Sequence, residues 1–146
     1  MIPKFRGKCP DAGWIFGSPV KFDEHISFIM PEFNGASTMS YSVIFDRTAQ
    51  FVDIETVGIS TGLKDKNSVE IYEGDIVIGS QDLITGLLTP TEVKGIVKYS
   101  SENTMFYLEE KNSGHDKFIH SLGSSIYRYE VLGNIHENPE LLEVAE

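Results

Sequence analysis

Cysteine is almost missing: Cys9 is the single thiol in 146 residues. The chain therefore has no partner for an internal disulfide and no thiolate cluster for a metal. Positive charge is also scarce, with 12 Lys and Arg against 22 Asp and Glu, a formal net charge of −10. A surface of that sign repels bulk nucleic acid and anionic lipid, because phosphate binding depends on cations replacing counterions. Its plain consequence is solubility; its sharper one is an acidic face that docks on a basic partner, imitating nucleic acid. No apolar run approaches the roughly 20 residues of a bilayer span. The opening MIPKFRGKCPDAGW has cations with no apolar block behind them, unlike a secretory signal. The expectation is a cytoplasmic protein with no membrane partner.

Catalytic signatures are absent as well. His25, His115, His120 and His136 form no HExxH, and His115 and His120 fall on an expected turn and strand. A zinc site needs three or four convergent ligands, and none is offered. Gly58-Ile-Ser-Thr-Gly-Leu-Lys64 has some features of a phosphate loop. Leu63 separates the second glycine from the lysine, however, and Asp65 stands where Ser or Thr is required. Glu109-Glu110 and Glu73/Asp75 are carboxylate pairs of the kind 22 acids produce by adjacency; only burial that splits their pKa values makes such a pair catalytic. No Ser, Cys or Lys carries a nucleophile pattern. The reading is a non-enzyme with no catalytic residue, no metal and no cofactor.

What is present is a β pattern. Thirteen Gly and six Pro punctuate a chain that is 40% hydrophobic and 11% aromatic, enough for a packed core and for many turns. The length suits one domain over 1–146, with an N-terminal lobe over 1–55 and a second lobe over 56–146. Pro10-Asp11-Ala12-Gly13 is turn chemistry. Trp14, Phe16, Val20 and Phe22 then alternate as one apolar strand face, and aromatics so spaced are usually core. After a turn at Asp23-Glu24, Ile26, Phe28 and Met30 alternate again until Pro31. Glu32 to Ser40 reads as a polar loop, and Tyr41, Val43 and Phe45 restart the strand pattern. Phe51 to Ile59 is extended, with apolar residues on both parities.

Thr61 to Ser68 is polar and turn-rich, with Asn67 suited to a left-handed backbone. Glu73-Gly74-Asp75 forms a corner: Gly74 supplies an unusual φ, and the Asp75 carboxylate can accept nearby N–H groups. A loop at Gln81–Thr91 leads to Val93, Val97 and Tyr99 on one strand face. A turn at Ser100–Asn103 joins that strand to Thr104–Glu109 as a hairpin. Lys111-Asn112-Ser113-Gly114 is a further turn before Phe118-Ile119. Tyr127, Tyr129, Val131, Gly133 and Ile135 alternate strictly. Asn138, Pro139 and Leu141-Leu142 indicate a short C-terminal helix.

Two features bear on partners. Lys4, Arg6 and Lys8 lie beside Phe5, Trp14 and Phe16, the mixture of cations and rings that binds single-stranded nucleic acid. Lys64 and Lys66 add two cations in the central turn. At the other end Glu130, Glu137, Glu140, Glu143 and Glu146 follow the last cation, Arg128, as a solvated face or a docking surface.

Five pieces carry a resemblance. They are Lys4-Phe5-Arg6-Gly7-Lys8 with Trp14, Glu55-Thr56-Val57-Gly58, Thr61 to Asn67, Glu70 to Val77, and Glu130 to Leu142. In this order the chain resembles the YopX-like family of bacteriophage and prophage proteins. It departs from the family's Asn-Gly turn by placing Ser68 after Asn67, and residues 23–50 and 79–91 fit no tight pattern. The resemblance implies a mostly β protein with a barrel-like C-terminal part, encoded by mobile bacterial elements, without a known activity, cofactor or catalytic residue. Its recurrent positions, Trp14, Gly58, Gly62, Asn67, Gly74, Asp75, Gly133, Asn134 and Pro139, are of the type a fold demands.

The expected architecture is mainly β, or β-rich α+β. It has an N-terminal β meander packed on a small, SH3-like, partly open β-barrel, with a short C-terminal helix. The expected role is that of a phage or prophage accessory protein in the bacterial host cytoplasm, acting through contact with a protein partner or a second copy of itself. The alternative is a nucleic-acid-binding module using Lys4, Arg6 and Lys8, with Lys64 and Lys66 as further contacts.

Overall fold

The computed structural model describes residues 3–21, 27–32, 40, 48–81, 92–110, 120–124 and 127–143. The turn at Asp23-Glu24, the polar loop through 33–39, the alternation at Tyr41, Val43 and Phe45, the loop 82–91, the turn at Lys111–Gly114 and Phe118-Ile119 lie outside them. Backbone proximity divides the chain into two units, Met1–Ser60 and Thr61–Glu146. Both are built from antiparallel strands, as the period-two patterning requires.

In the first unit, β1 (Phe5–Cys9), β2 (Gly13–Lys21), β3 (Ser27–Met30) and β4 (Gln50–Lys64) pair in succession. β4 then returns to pair with β1, closing a ring of four strands. The interior is narrow, as it must be with so few strands. Cys9, Ile29 and Val52 are buried there, packed by Phe5, Ile15 and Val57. Gly7 faces them, and a Cβ on it would lie 2.8 Å from a Val52 methyl. Closure bends β4 through a bulge: Lys8 pairs with Asp53, but Arg6 pairs with Gly58. Thr56 satisfies the bulged backbone, since its hydroxyl donates to the Asp53 carbonyl at 2.6 Å and accepts the Lys8 N–H at 2.8 Å. The extra residues reverse the inward parity along β4, from Val52 to Val57.

β4 continues past Ser60 into the second unit, where β5 (Glu70–Tyr72) adds to its end and the Thr61 hydroxyl donates to the Ile71 carbonyl at 2.8 Å. A second sheet follows the order β10 (Arg128–Asn134), β6 (Asp75–Ser80), β7 (Glu92–Ser100), β8 (Met105–Glu109) and β9 (His120–Ser121). Its core is Ile71, Val77, Val93, Val97, Leu108, Leu122, Tyr127 and Tyr129. The β7–β8 hairpin forms in register from Ile96↔Glu109 to Ser100↔Met105. At the corner into β6, Gly74 takes φ +92, and the buried Asp75 carboxylate accepts the Tyr72 N–H at 2.8 Å.

The C-terminal helix is a single 3-10 turn, Pro139–Leu142, with Pro at its start. None of its residues is buried, so no apolar face supports further turns. Asn138 makes no side-chain cap bond. The polar anchor is Asn134, whose side-chain oxygen accepts the N–H groups of His136 and Glu137, each at 3.0 Å. No helix among the described residues is long and apolar enough to cross a membrane.

Candidate interaction surfaces

Strand parity sorts the N-terminal candidates. Phe5, Gly7 and Cys9 point into the ring, so Lys4, Arg6 and Lys8 share its outer face. Register puts Arg6 beside Phe16 and Lys8 beside Trp14. Val20 pairs with Phe28, and Phe28 with Phe51, so these residues also point outward, on the β3 and β4 sides of the ring. Trp14 and Phe16 are thus not core residues, contrary to the expectation from their spacing. The inward position on β2 belongs to Ile15, because both parities of that strand are apolar and ring closure selects one.

The outer face is a cation–aromatic array. The Arg6 guanidinium lies 4.7 Å from the Trp14 ring centroid, and Lys4 Nζ lies 5.8 Å from that of Phe16. One face of each ring is therefore already covered by a cation of the chain itself. Arg6 is only 8% exposed. Phe16 and Phe51, by contrast, are 43% and 46% exposed, and Phe28 meets Phe51 edge to face at 5.8 Å.

Lys64 and Lys66 belong to the second unit, where they flank Asp65. The Asp65 carboxylate is buried. One oxygen accepts the N–H groups of Asn67 (2.8 Å) and Val69 (2.9 Å), the other that of Val131 (2.9 Å). Burial alone pushes this carboxyl upward. The Val131, Val69 and Asn67 amides, with the Lys66 charge, outweigh it and hold the pKa below the ordinary value. Asp65 thus holds its turn and anchors it to β10. The left-handed residue of that turn is Ser68, at φ 66, rather than Asn67. Around this turn opens a recess of about 290 Å³. Leu122, Tyr127 and Tyr129 contribute an apolar lining, and Lys64, Lys66 and Arg128 contribute the cations. Lys66 also pairs with Glu130 at 2.9 Å. The Tyr129 hydroxyl donates to the Ser121 carbonyl at 3.4 Å. Its pKa is pushed up to about 12 by burial and by the adjacent Tyr127.

The fold-associated positions are dispersed. Gly58 is buried opposite Arg6, and Gly62 takes φ +78 inside β4. Gly133 follows a register shift in β10 and is closely approached by the Asn138 side chain. Among the described residues no group of three or more His, Cys, Asp or Glu is placed to hold a metal ion; His25 and His115 lie outside those residues.

A sequence model of the family described as "YopX protein" matches residues 4–143. The chain belongs to the YopX family. No curated protein matches it. The crystal structure of protein EF1440 from Enterococcus faecalis is similar to this chain at 28% identity and a TM-score of 0.50. That match covers 98% of this chain and 99% of the other. The YopX match spans the cation–aromatic face and the Asp65 turn alike.

Proposed function

We propose that this member of the YopX family is a non-enzymatic accessory protein of a bacteriophage or prophage, acting in the bacterial cytoplasm by binding another protein through the outer face of its first sheet. The observation that carries this reading is the exposure of Phe16 and Phe51 on a ring whose interior is already filled by Cys9, Ile29 and Val52. Exposed aromatics beside cations have the composition of an interface centre. The chain's net charge of −10 favours a basic or neutral partner.

The test compares immobilised wild type with a Phe16→Ser/Phe51→Ser variant of equal melting temperature, both exposed to extract of lysogenic cells. A protein enriched on wild type and lost on the variant supports the reading. Equal capture by both removes the surface from it, and enrichment of nothing over a blank column removes the reading itself.

Nucleic-acid binding is the second reading, favoured by Lys4, Arg6 and Lys8 sharing a face with Trp14 and Phe16. Fluorescence polarisation with a labelled single-stranded oligonucleotide separates the two. With Arg6 buried, two phosphate contacts from Lys4 and Lys8 give a log–log salt slope of about −1.4 for a single strand. Affinity that is absent, or flat in salt, excludes it.

A further inference from the structure

Beyond any surface of the first unit, the second unit has a recess of its own with a distinct chemistry. Its volume of about 290 Å³ sits at the small end of ligand pockets, which suits a small molecule with a single ring system. The apolar lining is the edge of the second core: Leu122 is 2% exposed, and Tyr127 and Tyr129 are 8% and 7%. The two tyrosine rings lie 6.1 Å apart, tilted by 34°. Lys64, Lys66 and Arg128 also line it, three of the chain's 12 cations in a molecule with 22 acids.

The acidic groups nearby reduce this bias without reversing it: Asp65 keeps its charge although both oxygens are committed to backbone amides, and Glu130 occupies Lys66. Among the described residues Lys64 enters no ion pair, and it is exposed. A planar apolar body would rest on the exposed Leu63 side chain and on the margins of Leu122, Tyr127 and Tyr129, and one negative group would meet Lys64.

We propose that this recess binds a small aromatic anion, a single ring system carrying one carboxylate or phosphate. The charge gives orientation and the ring supplies buried area, the usual division of labour in small-ligand sites. The bias of the lining selects against neutral aromatics, which lack the group the lysines hold, and against bare anions, which leave the apolar lining uncovered.

The test is calorimetric titration of the full chain with five probes: AMP, indole-3-acetate, adenosine, indole and inorganic phosphate. Binding of AMP or indole-3-acetate, at least about tenfold tighter than its neutral counterpart and than phosphate, supports the proposal. Preference between the two anions assigns the source as nucleotide or aromatic acid. A Lys64→Glu/Arg128→Glu variant, shown to be folded by its melting transition, should weaken that binding by at least about tenfold. Should this pair fail to fold, Lys64→Gln alone provides the comparison, with a smaller loss expected. The proposal is overturned if neither anion binds, if adenosine or indole binds as tightly, or if charge removal leaves the affinity unchanged. Because Phe16 and Phe51 lie in the other unit, their replacement should leave this binding intact, so this result stands apart from that of the protein-binding test.

Discussion

Asp65 accepts the backbone N–H of Val131 at 2.9 Å, across 66 positions of sequence. The same carboxylate closes its own turn through Asn67 and Val69, so one side chain ties a local turn to a distant strand. Charged acceptors of this kind contribute about 1.5–3 kcal/mol each, and buried amides left without one are costly. Asp65→Ala should therefore lower unfolding stability by about 3 kcal/mol or more. Asp65→Asn should recover part of that loss, because its one oxygen still serves some of the amides. Urea denaturation with unchanged slope is the measurement, and a loss below about 0.5 kcal/mol would remove Asp65 from this role.

The acid limb of stability follows from the same group. The folded Asp65 pKa lies below its ordinary 3.8, so its contribution is complete above that value and is lost as pH falls through the folded pKa. Glu73 acts in the opposite sense: burial raises its folded pKa above the ordinary 4.5. Its charged form therefore opposes folding above the folded pKa, and that opposition fades as pH falls toward 4.5. Glu73→Gln should raise the melting temperature at pH 7 and give no gain near pH 4. A gain independent of pH would contradict the assignment.

Tyr129 acts at the alkaline end. Its pKa is about 12 when folded against an ordinary 10.0, so the native state keeps a proton that the unfolded chain releases. Stability should fall as pH rises from 10 toward 12. Absorbance at the tyrosinate band should show a late-titrating step, and Tyr129→Phe should remove both that step and the associated loss.

Ser68 holds φ 66 in the central turn, where a side chain costs energy that glycine does not incur. Ser68→Gly should stabilise the protein by about 0.5–1 kcal/mol, the entropy of the unfolded glycine offsetting part of the relief. Equal or lower stability would show that strain at this position is negligible.

Gly17 lies where β1, β2 and β3 crowd together, at φ +154, and a Cβ there would sit 2.1 Å from the Met30 carbonyl oxygen. The obstruction is backbone and cannot rotate away. Gly17→Ala should cost about 3 kcal/mol or prevent folding, whereas Gly13→Ala, with open space around it, should cost only the backbone strain of its φ, about 1 kcal/mol. Similar effects of the two changes would argue against the close approach.

Much of the β architecture was legible because it rests on local chemistry. Val93 and Val97 alternate with lysines, a turn separates the hairpin strands, and Gly74-Asp75 has the residue types a tight corner demands. Other features were not legible. Both parities of β2 are apolar, so alternation alone does not say whether Trp14 or Ile15 faces inward. The recess was missed because Lys64 and Lys66 meet Leu122, Tyr127 and Arg128 only through long-range pairing. The sole trace of it in the chain was a Lys-Asp-Lys turn and a Tyr-Arg-Tyr alternation, neither pointing to the other.

By itself the sequence determined the strand periods, the corner residues and the family, since these depend on backbone sterics and on side chains close along the chain. Only the tertiary structure decided which aromatic face stays outside the first ring and which cations gather at the recess of the second unit. The physical reason is that inward and outward are defined by ring closure and by strand register. Both join residues tens of positions apart, and local preference carries no information about them.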